Sequence, residues 1–336
     1  MPKETGASPF CFMKRWFLFS IATAFALVVY AQPRFRVMTW NVENLFDCRH
    51  DTLKQDEEFM PESERQWTWG RYWRKIEDIS RVIMGIGEDM PPVLVGLCEV
   101  ENDSVMIALT RRGPMRELHY EYVMTDSPDL RGVDVALMYQ PTMFRLLGHE
   151  SRRVPSQKYG YKPTRDLLHA WGLMPNNDTL HVVLCHLPSR AGDSRESEKN
   201  RRLAVSTLKD LADSLLMCNP QCKLIVMGDF NATLRDKSMK PLVAQGFLKP
   251  LTPDKRRPLS GTYRYKGDWS WIDHMLVSDG LLMMHSEKKP IVKLYTQPWM
   301  QRPMNDGTWY PRRTYLGTTY NGGVSDHVPI YCDLKW

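Results

Sequence analysis

Four apolar residues, Leu224 to Met227, run directly into Gly228-Asp229-Phe230-Asn231. A short apolar run with β-branched members reads as a strand buried on both faces. Gly228 can end it in a conformation closed to other residues. Alternation along an extended chain aims Asp229 and Asn231 the same way. A carboxylate and a carboxamide so placed would form half of a phosphate-and-metal site, although Gly, Asp and Asn are also ordinary turn residues. The pattern recurs along the chain. Arg34 to Trp40 runs into Asn41, Val93 to Leu97 into Cys98-Glu99, and His181 to Leu184 into Cys185-His186. Asp273 lies inside the run Trp269 to Val277, and Asp326-His327 precede the last apolar stretch.

A glutamate delivered by an apolar strand is costly to bury alone, and a metal would be a suitable partner. Glu101 shares the parity of Glu99; Glu99, nearer the strand, is the favoured carboxylate. Asn41 reads either as a turn former or as an oxygen ligand of a hard metal. A lone histidine such as His186 is more often a satisfied structural group. Six such points together suggest one site at the rim of a sheet sandwich. Its oxygen-rich donor set, with histidine and without a plausible cysteine ligand, favours magnesium or manganese over zinc.

The elements that must position these groups are interleaved strands and helices. Trp73, Ile76, Ile79, Ile83 and Ile86 form a helical stripe closed by Gly85, Gly87 and Pro91-Pro92, and residues 194–216 form a second helix. Ser104–Arg112 reads as a short helix. Asn41 to Asp47 reads as a polar turn, and residues 295–320 as a long loop rich in Arg and Tyr. Arg131 and Asp134 are surface groups or neighbours of a site, Asp134 the more structural of the two. The aromatic cluster Trp67, Trp69, Tyr72 and Trp73 reads as packing rather than a base-stacking platform. No linker, repeat or low-complexity tract interrupts the chain, so residues 32–336 are expected to form one domain.

With 336 residues and 43% apolar content the chain can bury a large core. Lys14-Arg15 precede the uncharged run Trp16 to Tyr30, and Val29-Tyr30-Ala31 ends on a small residue. This matches a cleaved export signal over residues 1–31, with Met13 an alternative start. The run is short against the roughly 20 residues that span a bilayer. No membrane anchor is expected after cleavage, and a periplasmic or extracellular monomer is expected. Net charge is +6 overall and +4 without residues 1–31, compatible with an anionic substrate without demanding nucleic acid. Six cysteines remain in the mature chain; export permits a Cys218–Cys222 bridge, and Cys98, Cys185 and Cys332 read as free buried thiols.

The segments Thr-Trp-Asn-Val-Glu-Asn (39–44), Cys-Glu-Val-Glu-Asn (98–102), Arg-Gly-Val-Asp-Val-Ala-Leu (131–137), His-Leu-Pro-Ser-Arg (186–190), Gly-Asp-Phe-Asn (228–231), Trp-Ile-Asp-His (271–274) and Ser-Asp-His-Val-Pro (325–329) follow one another in a telling order. In that order the chain resembles the DNase I-like endonuclease/exonuclease/phosphatase superfamily over residues 34–336. It departs from many relatives in having Cys98 where Gln often precedes the Glu. The resemblance implies an α/β fold, a four-layer sandwich of two mixed β-sheets face to face with helices outside. It also implies Asn41, Glu99 and Asp326 at a magnesium ion, with manganese or calcium as substitutes. Asp229 would orient or deprotonate the attacking water, Asn231 would hold water and phosphate, and His186 and Arg190 would contact the phosphoryl group. His327, fixed by Asp273, would be the second histidine. The expectation is a metal-dependent phosphoesterase, with nuclease activity favoured over a lipid or inositol phosphate substrate and over a catalytically silent binding module.

Overall fold

Two pairs of neighbouring strands run parallel, and each pair is bridged by a long helix, since a parallel pairing needs a crossover. The computed structural model describes residues 34–189, 194–244, 248–256, 261–285 and 289–335. The expected signal at 1–31 and the expected substrate contact Arg190 lie outside the described residues. In chain order the main elements are β1 (Phe35–Leu45), α1 (Trp69–Gly87), β2 (Leu94–Val100), β3 (Glu121–Met124), β4 (Asp134–Tyr139), β5 (Arg145–Arg152), β6 (Leu167–Leu173) and β7 (Thr179–His186). They continue with α2 (Ser194–Cys218), β8 (Lys223–Asp229), β9 (Leu248–Pro250), β10 (Asp273–Ser278), β11 (Lys293–Leu294) and β12 (Ile330–Leu334). One six-stranded sheet has the order β11-β12-β1-β2-β4-β3, the other β5-β6-β7-β8-β10-β9. Within each, only the central pair, β1 with β2 and β7 with β8, is parallel.

Three apolar clusters hold the layers. Val37, Leu94, Leu137, Val182, Leu184, Ile225 and Met227 interleave between the sheets. Ile76, Ile79 and Ile83 of α1 cover one outer face with Met38 and Val95, and Val205, Leu208 and Ala212 of α2 cover the other with Val183 and Val226. The result is the four-layer α/β sandwich expected from the sequence. Each fully buried aliphatic side chain contributes about 1.5–3 kcal/mol through removal from water. The sheets approach so closely at Gly96 that a Cβ there would meet Leu184 Cδ1 at 2.7 Å and Met227 Cε at 2.9 Å. Residues from Phe35 onward cluster as one compact unit.

Several local expectations are corrected. Asn41 to Asn44 belong to β1 rather than to a turn after it. The strand tolerates them through a shift in its pairing with β2 and left-handed backbone at Glu43 and Asn44 (φ 54° and 55°). The long loop near the C-terminus is not structureless. Gln301–Pro303 pairs with Trp309–Pro311, and Tyr315–Leu316 pairs with Thr319–Tyr320. The expected helix at 104–112 is an α turn, Asp103–Ile107, continued by a π segment, Ala108–Arg112. Cys218 and Cys222 are free thiols, as are Cys48, Cys98, Cys185 and Cys332. No helix among the described residues is long and apolar enough to cross a membrane.

Candidate active site

The C-terminal ends of β1, β2, β7 and β8 open on one pocket of about 540 Å³, which Asn41, Glu99, His186, Asp229, Asn231, Asp326 and His327 all line. Asp273, at the start of β10, stands beside Asp229 in antiparallel register. Seven of the eight described sequence candidates therefore line this pocket, and Asp273 supports it from behind. The ninth, Arg190, is outside the described residues.

Gly228 makes the opening possible. Its φ of 138° and its closeness to β7, where a Cβ would lie 1.9 Å from the Cys185 carbonyl oxygen, leave no room for another residue. Asp229 then ends β8, and the convergence of Asp229 with Asn231 does not come from strand alternation. Asn231 lies beyond the strand with φ 49°, and its backbone N–H donates to Asp229 Oδ1 at 2.8 Å in an Asx turn. Asn231 Nδ2 also donates to the Leu187 carbonyl at 3.0 Å and to Asp229 Oδ2 at 3.3 Å. Parity fails at β2 as well. Glu99 sits in a bulge between Cys98 and Val100 with φ 65°, which turns it into the pocket. Glu101 instead is buried and accepts the Asp47 N–H at 2.7 Å, away from the pocket.

Asp229 is the hub. Its Oδ2 accepts from Asn41 Nδ2 at 3.0 Å and lies 3.6 Å from His186 Nε2 and 3.7 Å from His327 Nε2. His327 Nδ1 is 2.9 Å from Asp273 Oδ2. Ser325 Oγ accepts the His327 N–H at 3.0 Å and donates to the Asn41 carbonyl at 2.6 Å, so the final loop is pinned to β1. Burial, with Asp273 nearby and despite His327, raises the Asp229 carboxyl far above the usual carboxylate range. Burial opposes a charged His327, yet Asp273, Asp229 and Asp326 together hold its imidazole well above an ordinary histidine. His186 is shifted the other way, first by burial and then by Arg165 and Arg131. Its Nδ1 is buried with no hydrogen-bond partner.

On the opposite wall Glu99 Oε2 accepts the Asn44 N–H at 2.9 Å, and Oε1 lies 3.3 Å from Asn41 Nδ2, 3.7 Å from His186 and 3.9 Å from Arg131. Burial would raise the Glu99 carboxyl, but Arg131, His327 and the Asn41 amide outweigh it and hold the group charged. Asn41 departs from the oxygen-ligand expectation. Its Oδ1 accepts the Glu43 N–H at 2.9 Å, so it turns its N–H groups towards the two carboxylates. Asp326 lines the pocket but pairs with Arg313 at 2.9 Å.

Sequence reading missed the frame behind Asp326. The Glu43 carboxylate takes Arg313 Nε at 2.9 Å and the Thr314 N–H at 2.8 Å, and buried Lys75 donates to the Glu43 carbonyl and to Thr314 Oγ1. Burial lowers the Lys75 amine to about 8. A signal existed, because Lys75 falls on the apolar stripe of α1, next to Ile76 and one turn from Ile79. Asp134 is structural: it accepts from Thr125 Oγ1 and from Ser127 through both its N–H and its Oγ.

Among the described residues, a grouping of acid and imidazole atoms close enough for a metal is Asp229, Asp273 and His327. The His327–Asp273 hydrogen bond already uses one atom of each. The surplus of carboxylates in the pocket, Glu99, Asp229 and Asp326, suits a hard divalent cation with oxygen ligands.

Solved structures with this architecture cover nearly the whole chain. The catalytic domain of human nocturnin, with a bound sulfate anion, superposes with a TM-score of 0.55 at 18% identity, over 90% of this chain and 94% of that one. Truncated Caenorhabditis elegans TDP2 gives 0.58 at 15% identity, over 90% and 98%. A mannosyl-6-phosphatase from Bacteroides thetaiotaomicron gives 0.56 at 16% identity, over 90% and 100%. No curated protein matches the chain by sequence. The family model for the Endonuclease/Exonuclease/phosphatase family matches residues 36–336, and the chain belongs to that family of phosphoester hydrolases.

Proposed function

We propose that the chain is an exported, divalent-cation-dependent phosphoesterase whose first substrate class is the nucleic-acid phosphodiester. One observation carries the reading: Asp229 is held between two histidines and beside Asn41, with Glu99 across the same pocket. The donor set fits magnesium, with manganese or calcium as substitutes. Glu99 would hold the ion with Asp326 near it, and Asn41 would orient the Glu99 carboxylate. The bound cation would neutralise charge developing on the phosphoryl oxygens.

The protein's own groups account for the rest. Asp229, with its raised proton affinity, is suited to take a proton from water in the pocket, and Asn231 fixes its orientation. His327, kept protonated by Asp273 and its acidic neighbours, supplies positive charge to an anionic phosphate. His186 stays neutral, and its Nε2, beside Glu99 and Asp229, leaves it able to hydrogen-bond in the pocket. A polyanion is favoured because basic side chains continue on both sides: Arg131 and Lys162 at one end, Arg264, Lys266 and Arg302 at the other. The N-terminal basic and apolar pattern supports export of the enzyme without a retained membrane anchor.

Hydrolysis of bis-p-nitrophenyl phosphate, with magnesium and after chelation, tests the reaction. Turnover that chelator abolishes and magnesium restores is expected. No turnover with magnesium, manganese or calcium would overturn the proposal. A parallel panel of plasmid DNA, RNA, sphingomyelin and inositol polyphosphates tests the substrate class, with nucleic acid expected to be cleaved fastest.

A further inference from the structure

Beside the reacting pocket lies a second chamber of about 170 Å³, and Tyr265, Arg313 and Asp326 line both. Two hairpins build its wall. Tyr263–Tyr265 pairs with Asp268–Ser270, and Gln301–Pro303 with Trp309–Pro311. They are locked together by the Trp269–Trp309 edge contact at 5.0 Å and by Arg264, which donates to the Gly267 carbonyl at 2.9 Å and the Trp309 carbonyl at 2.5 Å.

The charge in this chamber is unbalanced. The Arg264 guanidinium lies 4.3 Å from the Tyr310 ring centroid, and the Arg302 guanidinium lies 5.7 Å from the same ring. Lys266 is displayed by a turn with left-handed backbone at Lys266 and Gly267. None of these three cations has a carboxylate within 4.0 Å among the described residues. Asp306 is near enough to Arg264 to feel its field, but its carboxylate is exposed and accepts from Thr308. Arg313 differs, because Glu43 and Asp326 each pair with it at 2.9 Å. Two guanidinium groups over one phenol ring repel each other, and a shared anion would turn that repulsion into attraction. Arginine forks suit phosphate oxygens in particular.

We infer that Arg264, Lys266 and Arg302 form a subsite for a second phosphate of the substrate, distinct from the phosphate being cleaved. The inference rests on the phosphoesterase reading for the purpose of the subsite, but its binding arm is independent of turnover. The second phosphate has two sources, a neighbouring diester in a strand or a terminal monoester on a small molecule.

The test compares thymidine 3′,5′-bisphosphate with thymidine 5′-phosphate by calorimetry, on the wild type and on the double variant K266A/R302A. That variant spares Arg264, which ties the hairpins together. About a 10-fold preference for the bisphosphate is expected, and its loss in the variant. Equal binding of both ligands by the wild type, or a preference the variant retains, would overturn the subsite. In a second arm, KM for oligothymidylate should rise about 10-fold in the variant while kcat holds, which assigns the source to a strand. A binding preference without that KM change assigns it to a terminal monoester. Absence of all turnover with the binding preference intact would sink the phosphoesterase reading and leave the subsite standing.

Discussion

The two sheets are built on one plan and end in opposite chemistry. In each, a parallel central pair bridged by a long helix is flanked by antiparallel strands in the same sequence of orientations. At the pocket ends Asn41 of β1 stands in register with Cys98 and His186 of β7 with Asp229; Glu99 bulges out of β2 just after Cys98, and Asp134 and Asp273 begin the next strands, β4 and β10. The neighbours differ. Glu99 faces Arg131 and accepts a backbone N–H, and it stays charged. Asp229 is buried beside Asp273 and is driven towards neutrality. Asp134 Oδ1 accepts from Thr125 and Ser127, whereas Asp273 holds His327. Neighbouring strand ends with different surroundings thus present one carboxylate that is held charged and another with raised proton affinity.

The largest effect should come from Asp229. Asp229→Ala is expected to lower kcat on bis-p-nitrophenyl phosphate by about 10³-fold or more, with near-UV circular dichroism unchanged. Glu99→Gln should break the other half. Its rate should fall and its magnesium requirement should rise by about 10-fold or more, so that added magnesium recovers part of the activity. An Asp229→Ala enzyme near the wild-type rate would remove the proton role from the second sheet. A Glu99→Gln enzyme with an unchanged magnesium titration would remove the cation role from the first.

The strand ends were legible because burial forces a simple signal. A central strand must be apolar, so an acid, amide or imidazole at its end stands out, and Asn41, Glu99, His186 and Asp229 were found in this way. What brings them together was not legible. Glu43, Asn44, Glu99 and Asn231 take positive φ without being glycine; asparagine is enriched in that region but glutamate is not, so the turns at Glu43 and Glu99 carry no local announcement. Side-chain parity therefore left Glu101 in contention with Glu99, although the bulge sends them to different places. The shared plan of the two sheets was invisible too, because backbone ladders repeat a geometry without repeating side chains. The hairpins of residues 301–320 rest on contacts with distant partners such as Trp269 and Arg264, which no short window contains.

The paired aspartates separate the sheets by a smaller amount. Asp273→Asn should weaken the hold on the His327 proton and shift the acid–base profile of kcat/KM with little change in melting temperature. Asp134→Asn should do the reverse. It disturbs a buried acceptor of three hydrogen bonds, at a cost of about 1–3 kcal/mol in unfolding free energy, and should leave the profile in place. The comparison fails if the pH profile moves with Asp134 or if only stability moves with Asp273.

The smallest effect lies on the flanks of the sheets, where β12 meets β1 and β6 meets β7. On the first sheet Asp333 of β12 pairs with Arg36 and Lys293, and despite its burial these partners hold its carboxyl below the ordinary value of 3.8. On the second, His169 Nε2 lies 3.0 Å from His181 Nδ1, and Glu150 stands 3.2 Å from the other nitrogen of His169. Burial lowers both histidines, His181 to about 4 with His169 adding to the effect. The signs give different pH windows. A depressed histidine stays neutral in the folded state while the unfolded chain takes up a proton, so stability is full above about 6.5 and declines as pH falls towards 4. A depressed aspartate stabilises above its unfolded value, and that contribution is lost only as pH falls from about 3.8 through its lower folded value. Between pH 7.5 and 5.0, urea unfolding should therefore show the wild type losing about 1–3 kcal/mol through the histidine pair of the second sheet. His181→Gln should reduce that loss, and Asp333→Asn should leave it as it was. A loss that tracks Asp333 in this interval would reverse the assignment of the two sheets.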